Sequence, residues 1–66
     1  MIRTDKLKGK MAEHGYTQKD MAEAIGVTPK TFYTKMKAGV FGSDEIEIMI
    51  DKLVIDDPVA IFFARE

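Results

Sequence analysis

The residues best equipped for chemistry lie between positions 17 and 37, and they offer hydrogen bonding and positive charge. They carry hydroxyl, amide or ammonium groups: Thr17, Gln18, Lys19, Thr28, Lys30, Thr31, Tyr33, Thr34 and Lys37. Groups of these kinds bind phosphate oxygens and the edges of bases. Lys30 can donate to O6 or N7 of guanine, and a threonine methyl group can contact the methyl group of thymine. Groups of these kinds could therefore form a nucleic-acid contact surface.

Each of these residues also has an ordinary structural interpretation. Gln18, Lys30 and Thr34 could simply cover an exposed helix surface, and Tyr33 could be half-buried packing. The residue types alone do not separate the two interpretations, so the spacing of the residues and the elements that carry them have to decide.

Catalysis and metal binding are not expected from this composition. The 66 residues include no cysteine and one histidine, His14. There is no phosphate-binding glycine loop and no nucleophile motif, and so short a chain leaves little room for a substrate cavity. A metal site would need more cysteine or histidine ligands than the sequence has. We therefore expect neither an enzyme nor a cofactor.

The charges are distributed unevenly along the chain. Residues 1–38 contain eight Lys or Arg and four Asp or Glu, a net +4, whereas residues 39–66 contain two and seven, a net −5. Such asymmetry favours a nucleic-acid surface on the first half. The alternative, that the charges merely cover solvated helix faces, stays open at this point.

Start and stop signals divide the chain into five short helices. Candidate helix starts are the capping residues Thr4, Thr17, Thr28 and Ser43 and the pair Asp57-Pro58, and candidate stops are Gly15, Gly26 and Gly39. Thr17 with Asp20 resembles a capping box, and Pro29 after Thr28 suits the first position of a helix. The first helix is predicted to end near His14 and the last near Ala64.

Apolar spacing predicts which faces of these helices are buried. The expected core residues are Leu7, Met11, Met21, Ala22, Ile25, Phe32, Met36, Ile46, Met49, Ile50 and Leu53. A strand over residues 53–55 is rejected because it is too short and has no partner. The prediction is a single all-α domain over residues 1–66, compact and five-helical, with a central helix-turn-helix at residues 17–38.

Residues 15–28 resemble the Cro/CI-type (XRE-type) helix-turn-helix of phage and bacterial repressors. That family has a Gln at the start of its second helix, Ala four residues later, Gly four further on, and an apolar residue in the recognition helix. Gln18, Ala22, Gly26 and Phe32 match these positions. The likeness is strongest over residues 15–39, and the whole chain fits the family's five-helix Cro/CI repressor-like plan. Length and C-terminal sequence are similar to those of small regulators from phages and prophages of Gram-positive bacteria.

The resemblance implies a phage-type transcriptional regulator that binds operator DNA through the polar and basic residues between positions 17 and 37. Gln18 would contact phosphate or the adjoining base edge, Thr28, Lys30, Thr31 and Thr34 would face the major groove, and Tyr33 and Lys37 would lie at its margin. Lys19 and Lys35 would add attraction for phosphates without sequence preference. The sequence departs from the family at Pro29, which offers no donor in a base-reading position, and at Lys35, where an aliphatic core residue is usual.

A protein interface is predicted at Ile48, Phe62 and Phe63. Ile48 lies off the core stripe of its helix, and two adjacent phenylalanines cannot both point into one small core. An exposed apolar patch usually marks a partner site, although the chain end could instead fold back and cover it. The partner would be a second copy, giving a homodimer, or a phage CI-type repressor. In the second case the protein would be an antirepressor that blocks the repressor's DNA binding.

We expect the protein in the cytoplasm of a bacterial host cell. No apolar run reaches the roughly 18 residues of a membrane span. The charged N-terminus, which includes Arg3, Asp5 and Lys6, does not resemble a secretory signal.

Overall fold

Five helices make up the structure, a computed structural model that describes residues 2–63. They are α1 (Thr4–Glu13), α2 (Gln18–Ile25), α3 (Pro29–Ala38), α4 (Ser43–Lys52) and α5 (Pro58–Phe62). α2 packs against both α3 and α4, and α1 packs against α5. No strand occurs between residues 2 and 63, and the chain turns at residues 53 and 54. The predicted all-α, five-helix fold is confirmed.

The start and stop signals of α2 and α3 act as the sequence predicts. The Thr17 hydroxyl accepts a hydrogen bond from the Asp20 N–H at 3.1 Å, and the Asp20 carboxylate accepts one from the Thr17 N–H at 3.0 Å. Thr28 caps α3 in the same way through the N–H of Thr31, at 3.2 Å. Gly26 and Gly39 end the two helices with φ values of +80° and +71°, in the left-handed region that favours glycine.

Two other helix starts differ from the prediction. Neither Thr4 nor Ser43 caps its helix, since each is the first helical residue. The N–H of Arg3, the residue before α1, donates to the carbonyl of Ile61 in α5 at 2.6 Å. At α4 the Glu45 carboxylate reaches back to accept a hydrogen bond from the Gly42 N–H at 2.7 Å. Both bonds satisfy the N–H of the residue that precedes the helix, and neither of those residues caps the first turn through a side chain.

The buried core draws on all five helices and on the connections after α3 and α4. Its apolar members are Leu7, Met11, Met21, Ala22, Ile25, Phe32, Met36, Phe41, Met49, Leu53, Ile55, Ile61 and Phe62. The predicted core positions Ile46 and Ile50 are half-buried instead, because they lie at the edge of the face that α4 turns to α2. α5 ends at Phe62, and Ala64, the predicted end of that helix, lies outside the described residues.

Candidate nucleic-acid interface

The corner between α2 and α3 is built from small and apolar residues. Ala22 is completely buried, so α2 has no bulky side chain at this point of closest packing. Gly26 allows the chain to turn, and the Val27 N–H donates to the Ala22 carbonyl at 2.9 Å. The half-buried side chain of Val27 packs against the core. The corner fixes α3 across α2 in the arrangement of a helix-turn-helix.

α3 has one buried face and one exposed face. Phe32 and Met36, one turn apart, are buried. Lys30, Thr34 and Lys37 are exposed and follow the i, i+4, i+7 spacing of a single helical stripe. The ten residues of α3 make a helix about 15 Å long. With its side chains an α-helix is about 10–12 Å in diameter, so it fits the major groove of DNA, which is about 12 Å wide.

Hydrogen bonds inside α3 restrict what its threonines can offer to DNA. The Thr34 hydroxyl donates to the Lys30 carbonyl at 3.0 Å, so its methyl group and its acceptor capacity remain. The Thr28 hydroxyl donates to the Thr31 hydroxyl at 3.0 Å and accepts the Thr31 N–H. Thr31 can therefore still donate outward, whereas Thr28 is largely committed to capping the helix.

Unpaired ammonium groups surround this surface. Among residues 2–63, Lys8, Lys19, Lys30 and Lys37 have no carboxylate within ion-pair distance. Lys35 is different, since its Nζ lies 2.9 Å from Oε1 of Glu45 and its side chain is 31% exposed. The expectation that Lys35 attracts phosphate is therefore wrong, because its charge is compensated within the protein.

The N-termini of α2 and α3 offer different environments to an anion. At α2 the Asp20 carboxylate already occupies the positive end of the helix, and its pKa is lowered chiefly by the hydrogen bonds that it receives from Thr17. Asp20 is thus ionised near neutral pH and repels phosphate. The first turn of α3 has no acidic residue and carries Lys30. The positive end of α3 is therefore the better site for a phosphate.

A groove of about 230 Å³ connects this surface to α1, an extension that the sequence did not reveal. Its lining residues are Thr4, Lys8, Gln18, Tyr33, Met36 and Lys37. Lys8 is exposed and half-buried Thr4 lies one turn before it. The spacing of Thr4 and Lys8 places both on one face of a basic helix, and this spacing was the available sequence signal for the extension. It was not sufficient, because tertiary packing determines which face α1 turns toward α3. The groove brings Gln18, Tyr33 and Lys37 together from two helices.

The remaining candidate residues fall into two groups. Thr17, Lys19 and Thr31 are exposed, and Tyr33 keeps 59% of its surface accessible, so the half-buried interpretation of Tyr33 is wrong. Phe62 is 3% exposed, whereas Phe63 is 58% exposed. The assignment of Phe62 to a partner interface is therefore wrong, because its side chain belongs to the core of the monomer. Ile48 is half-buried and packs against that core.

The described part of the chain shows neither a cluster of metal ligands nor a membrane span. No three histidine or acidic side chains between residues 2 and 63 lie together as a metal site would require. Within the same residues no helix has the length and apolar character needed to cross a membrane.

The α2–α3 corner, the threonine caps and the exposed face of α3, the recognition helix, together define a helix-turn-helix DNA-binding regulator. The family model described as bacterial regulatory protein, Fis family, matches residues 7–39, which span most of α1 and all of α2 and α3. That match covers half of the chain, and the protein belongs to this family of helix-turn-helix regulators. Comparison with curated proteins and with solved structures gave no match.

Proposed function

We propose that the protein is a small phage-type transcriptional regulator of the Cro/CI kind that binds operator DNA through α3. The observation that carries this proposal is the exposed stripe of Lys30, Thr34 and Lys37, opposite the buried Phe32 and Met36. Lys30 at the start of the helix reads a base edge, and Lys37 lies toward the phosphates. At the start of α2, Thr17 and Lys19 contact the backbone of the same half-site, and Gln18 contacts a phosphate or the adjoining base edge.

Substitutions on this surface test which side chains read sequence. In a gel shift with promoter DNA from around its own gene, Gln18→Ala and Lys30→Ala should each weaken binding by about 1–3 kcal/mol, as for a lost base contact. Lys30→Ala should also relax the preference at one base pair of the operator. Lys19→Ala should weaken all sequences about equally and lower the slope of affinity against salt by about one ion.

Lys52→Ala is the matched control, because Lys52 is an exposed lysine of α4 outside the proposed surface. It should leave both operator affinity and the salt slope unchanged. If the Gln18 and Lys30 variants bind the operator as tightly as the parent chain, the contact assignment is refuted.

The antirepressor function is the second candidate, and exposed Phe63 and Pro29 favour it. Pro29 offers no donor at the start of the recognition helix, and Phe63 supplies apolar surface for a protein contact. In this case the chain would bind a phage CI-type repressor and block its DNA surface. The gel shift separates the two functions. An antirepressor does not shift the operator DNA by itself, and it abolishes the shift that the repressor causes.

A homodimer would explain how so small a chain reads a palindromic operator. Two recognition helices must then lie about 34 Å apart, one turn of DNA. The molecule measures 29 × 23 × 19 Å along its principal axes, which is compatible with that separation for two copies side by side. Analytical ultracentrifugation with and without operator tests this state, and a 1:1 complex on a palindromic site would contradict it.

A further inference from the structure

A second surface lies on α4, and it shares no residue with the DNA-binding surface. It is a groove of about 590 Å³, here called the α4 groove, lined by Phe41, Ser43, Asp44, Ile46, Glu47, Ile50 and Phe63. We infer that the α4 groove binds a basic amphipathic helix of a different protein. The inference concerns other residues and a partner of opposite charge, and only its exclusion of a head-to-tail contact between copies rests on the proposed operator binding.

The floor and one wall of the groove are apolar. Ile46 and Ile50 lie one turn apart on α4, and both are half-buried although they belong to a mostly apolar helix face. Phe63 stands beside them with 58% of its surface exposed. Val59, one turn before Phe63, is 61% exposed and continues the apolar surface along α5. Apolar side chains one turn apart on a partner helix could pack into such a groove.

The rim of the groove is acidic. Asp44 and Glu47 line it, and Asp51 follows Glu47 one turn later on α4. All three are exposed, and none has a cationic partner within ion-pair distance among residues 2–63. Glu45 on the same helix differs, because it is buried and paired with Lys35. An apolar floor bordered along one side by a stripe of unpaired carboxylates is complementary to leucine-like side chains with lysine or arginine beside them.

The charges disfavour a second copy of this chain as the occupant. A symmetric dimer places the same patch on both sides of the contact, so it would bring the carboxylates of one α4 toward those of the other. Lys52 is the one basic residue between positions 40 and 63, too few to compensate them. A head-to-tail contact with the basic half of another copy would cover Lys30 and Lys37, which the DNA needs. A basic helix on another protein avoids both conflicts.

A designed peptide can test the chemistry without a natural partner. The probe is a helical peptide of about 14 residues, four turns, with leucine along one face and lysine elsewhere. Its control has glutamate in place of every lysine. In amide NMR titrations of the complete chain, the lysine peptide should shift signals of residues 41–50 and 63 and leave those of residues 30–37 unchanged. The glutamate peptide should not bind.

Two variants test which side chains of the α4 groove contribute to binding of the lysine peptide. Asp44→Asn/Glu47→Gln should weaken the lysine peptide roughly three- to tenfold, as expected for two lost surface charge pairs. Phe63→Ser should weaken it by roughly tenfold, as for an apolar anchor. Glu23→Gln/Asp56→Asn removes the same charge from two exposed sites outside the groove and should leave the affinity unchanged.

Operator binding provides the check on folding and separates this inference from the proposed function. All three variants should bind the operator with the affinity of the parent chain, since none of their residues lies on the DNA-binding surface. Equal affinity for the lysine and glutamate peptides would overturn the inference. It would equally fail if the control variant lost as much affinity as the groove variant, or if the shifts appeared on α3 instead of α4.

Discussion

Two regions of the molecule are held in place by different kinds of interaction. In the helix-turn-helix region, residues 17–39, both helices begin at a threonine whose hydroxyl accepts a backbone N–H, and both end at a glycine with positive φ. In the C-terminal region, residues 40–63, α4 begins without a hydroxyl cap and is followed by Val54 at a φ of +49°. Local contacts start the helices of both regions, since Gly42 bonds to Glu45 at α4 and the Asp57 carboxylate accepts the Ala60 N–H at α5. The difference is that the first region begins both of its helices at a threonine hydroxyl, whereas the second uses carboxylates, one of which also pairs with Lys35 of α3.

The two regions also differ in net charge. The helix-turn-helix region has four lysines against two acids, whereas the C-terminal region has one lysine against six acids. The Lys35–Glu45 ion pair, at 2.9 Å, joins the two regions. A molecule divided in this way can present one face to DNA and another to protein. The following predictions test how far the two regions depend on each other.

Phe32→Ala should have the largest effect on stability. Phe32 is completely buried in the helix-turn-helix region, and its ring lies 5.6 Å from that of Phe41 in the C-terminal region. Removing a buried phenylalanine costs about 3–5 kcal/mol, which is comparable with the total stability of a small domain, about 5 kcal/mol. Urea denaturation should show the loss, and amide exchange in α4 should accelerate together with that in α2.

Tyr33→Ala is the matched control, because Tyr33 is the adjacent residue and is exposed. Its stability should stay within about 0.5 kcal/mol of the parent chain. If α4 kept its exchange protection in Phe32→Ala, the C-terminal region would hold its structure without the helix-turn-helix region, contrary to the dependence inferred from its contacts.

Glu45→Ala should have the next largest effect, because it breaks the ion pair between the regions. The Glu45 carboxylate accepts hydrogen bonds from the Gly42 N–H at 2.7 Å and from the Lys35 ammonium at 2.9 Å. Gly42 is exposed and Lys35 half-buried, so both donors keep access to water, and the loss of their hydrogen bonds to a charged group should cost about 1–3 kcal/mol. Thermal unfolding followed by circular dichroism gives the change. Glu47→Ala, an exposed acid two residues later, should be nearly neutral.

Glu45→Gln separates the charge of this side chain from its hydrogen bonding. Both donors bond to Oε1, so an amide oxygen in its place can still accept from Gly42 and Lys35, and only the ionic attraction for Lys35 is lost. Most of the stability should therefore return. If the glutamine variant is as unstable as the alanine variant, the ion pair with Lys35 dominates. The start of α4 would then owe little to the contact with Gly42.

Local signals predicted the helix-turn-helix region well for a physical reason. Thr17 with Asp20, and Thr28 with Pro29, act within one helical turn, so the interaction partners stand side by side in the sequence. Gly26 and Gly39 are conformational signals that need no partner at all. The α2–α3 corner and the buried face of α3 could therefore be predicted from the amino-acid sequence alone.

Most errors of prediction arise where a distant partner decides. Thr4 and Ser43 have the right residue type for caps but lie one position inside their helices. At α1 the N–H of Arg3 bonds to the distant carbonyl of Ile61, whereas at α4 the nearby Glu45 carboxylate bonds to the N–H of Gly42. Lys35 resembles a phosphate-binding lysine in the sequence because its partner Glu45 lies ten positions away on another helix. Phe62 and Phe63 could not be distinguished, since a five-residue helix is too short to define an apolar face.

Val54→Gly and Gly39→Ala should change stability in opposite directions by similar amounts. Val54 is exposed and has a positive φ, which costs a residue with a side chain roughly 1–2 kcal/mol. Glycine removes that strain but adds freedom to the unfolded chain, so the net gain should be near 0.5–1 kcal/mol. Gly39 has φ +71° and open space where the methyl group of an alanine would lie, so alanine there should cost about 1 kcal/mol through the backbone alone.

Chemical denaturation of both variants gives the two values. An unstable Val54→Gly variant would show that the valine side chain contributes packing that outweighs its backbone strain. The C-terminal region would then contain an apolar contact at Val54 beyond what its 63% exposure indicates.

Asp20→Asn should have the smallest effect, and its pH dependence identifies the cause. The pKa of Asp20 is lowered from its ordinary 3.8, first by the hydrogen bonds from Thr17, so the folded state favours the ionised carboxylate. This contribution is complete above the unfolded pKa and is lost as the pH falls through the lower folded pKa. The parent chain should therefore exceed Asp20→Asn in stability near neutral pH, and the difference should shrink once the pH falls below about 3.8. Because asparagine can still accept from the Thr17 N–H, any difference that persists in strong acid would have to come from geometry. Such a result would mean that the hydrogen-bond geometry of the capping box stabilises α2, and that the charge on Asp20 contributes little to the stability of the helix-turn-helix region.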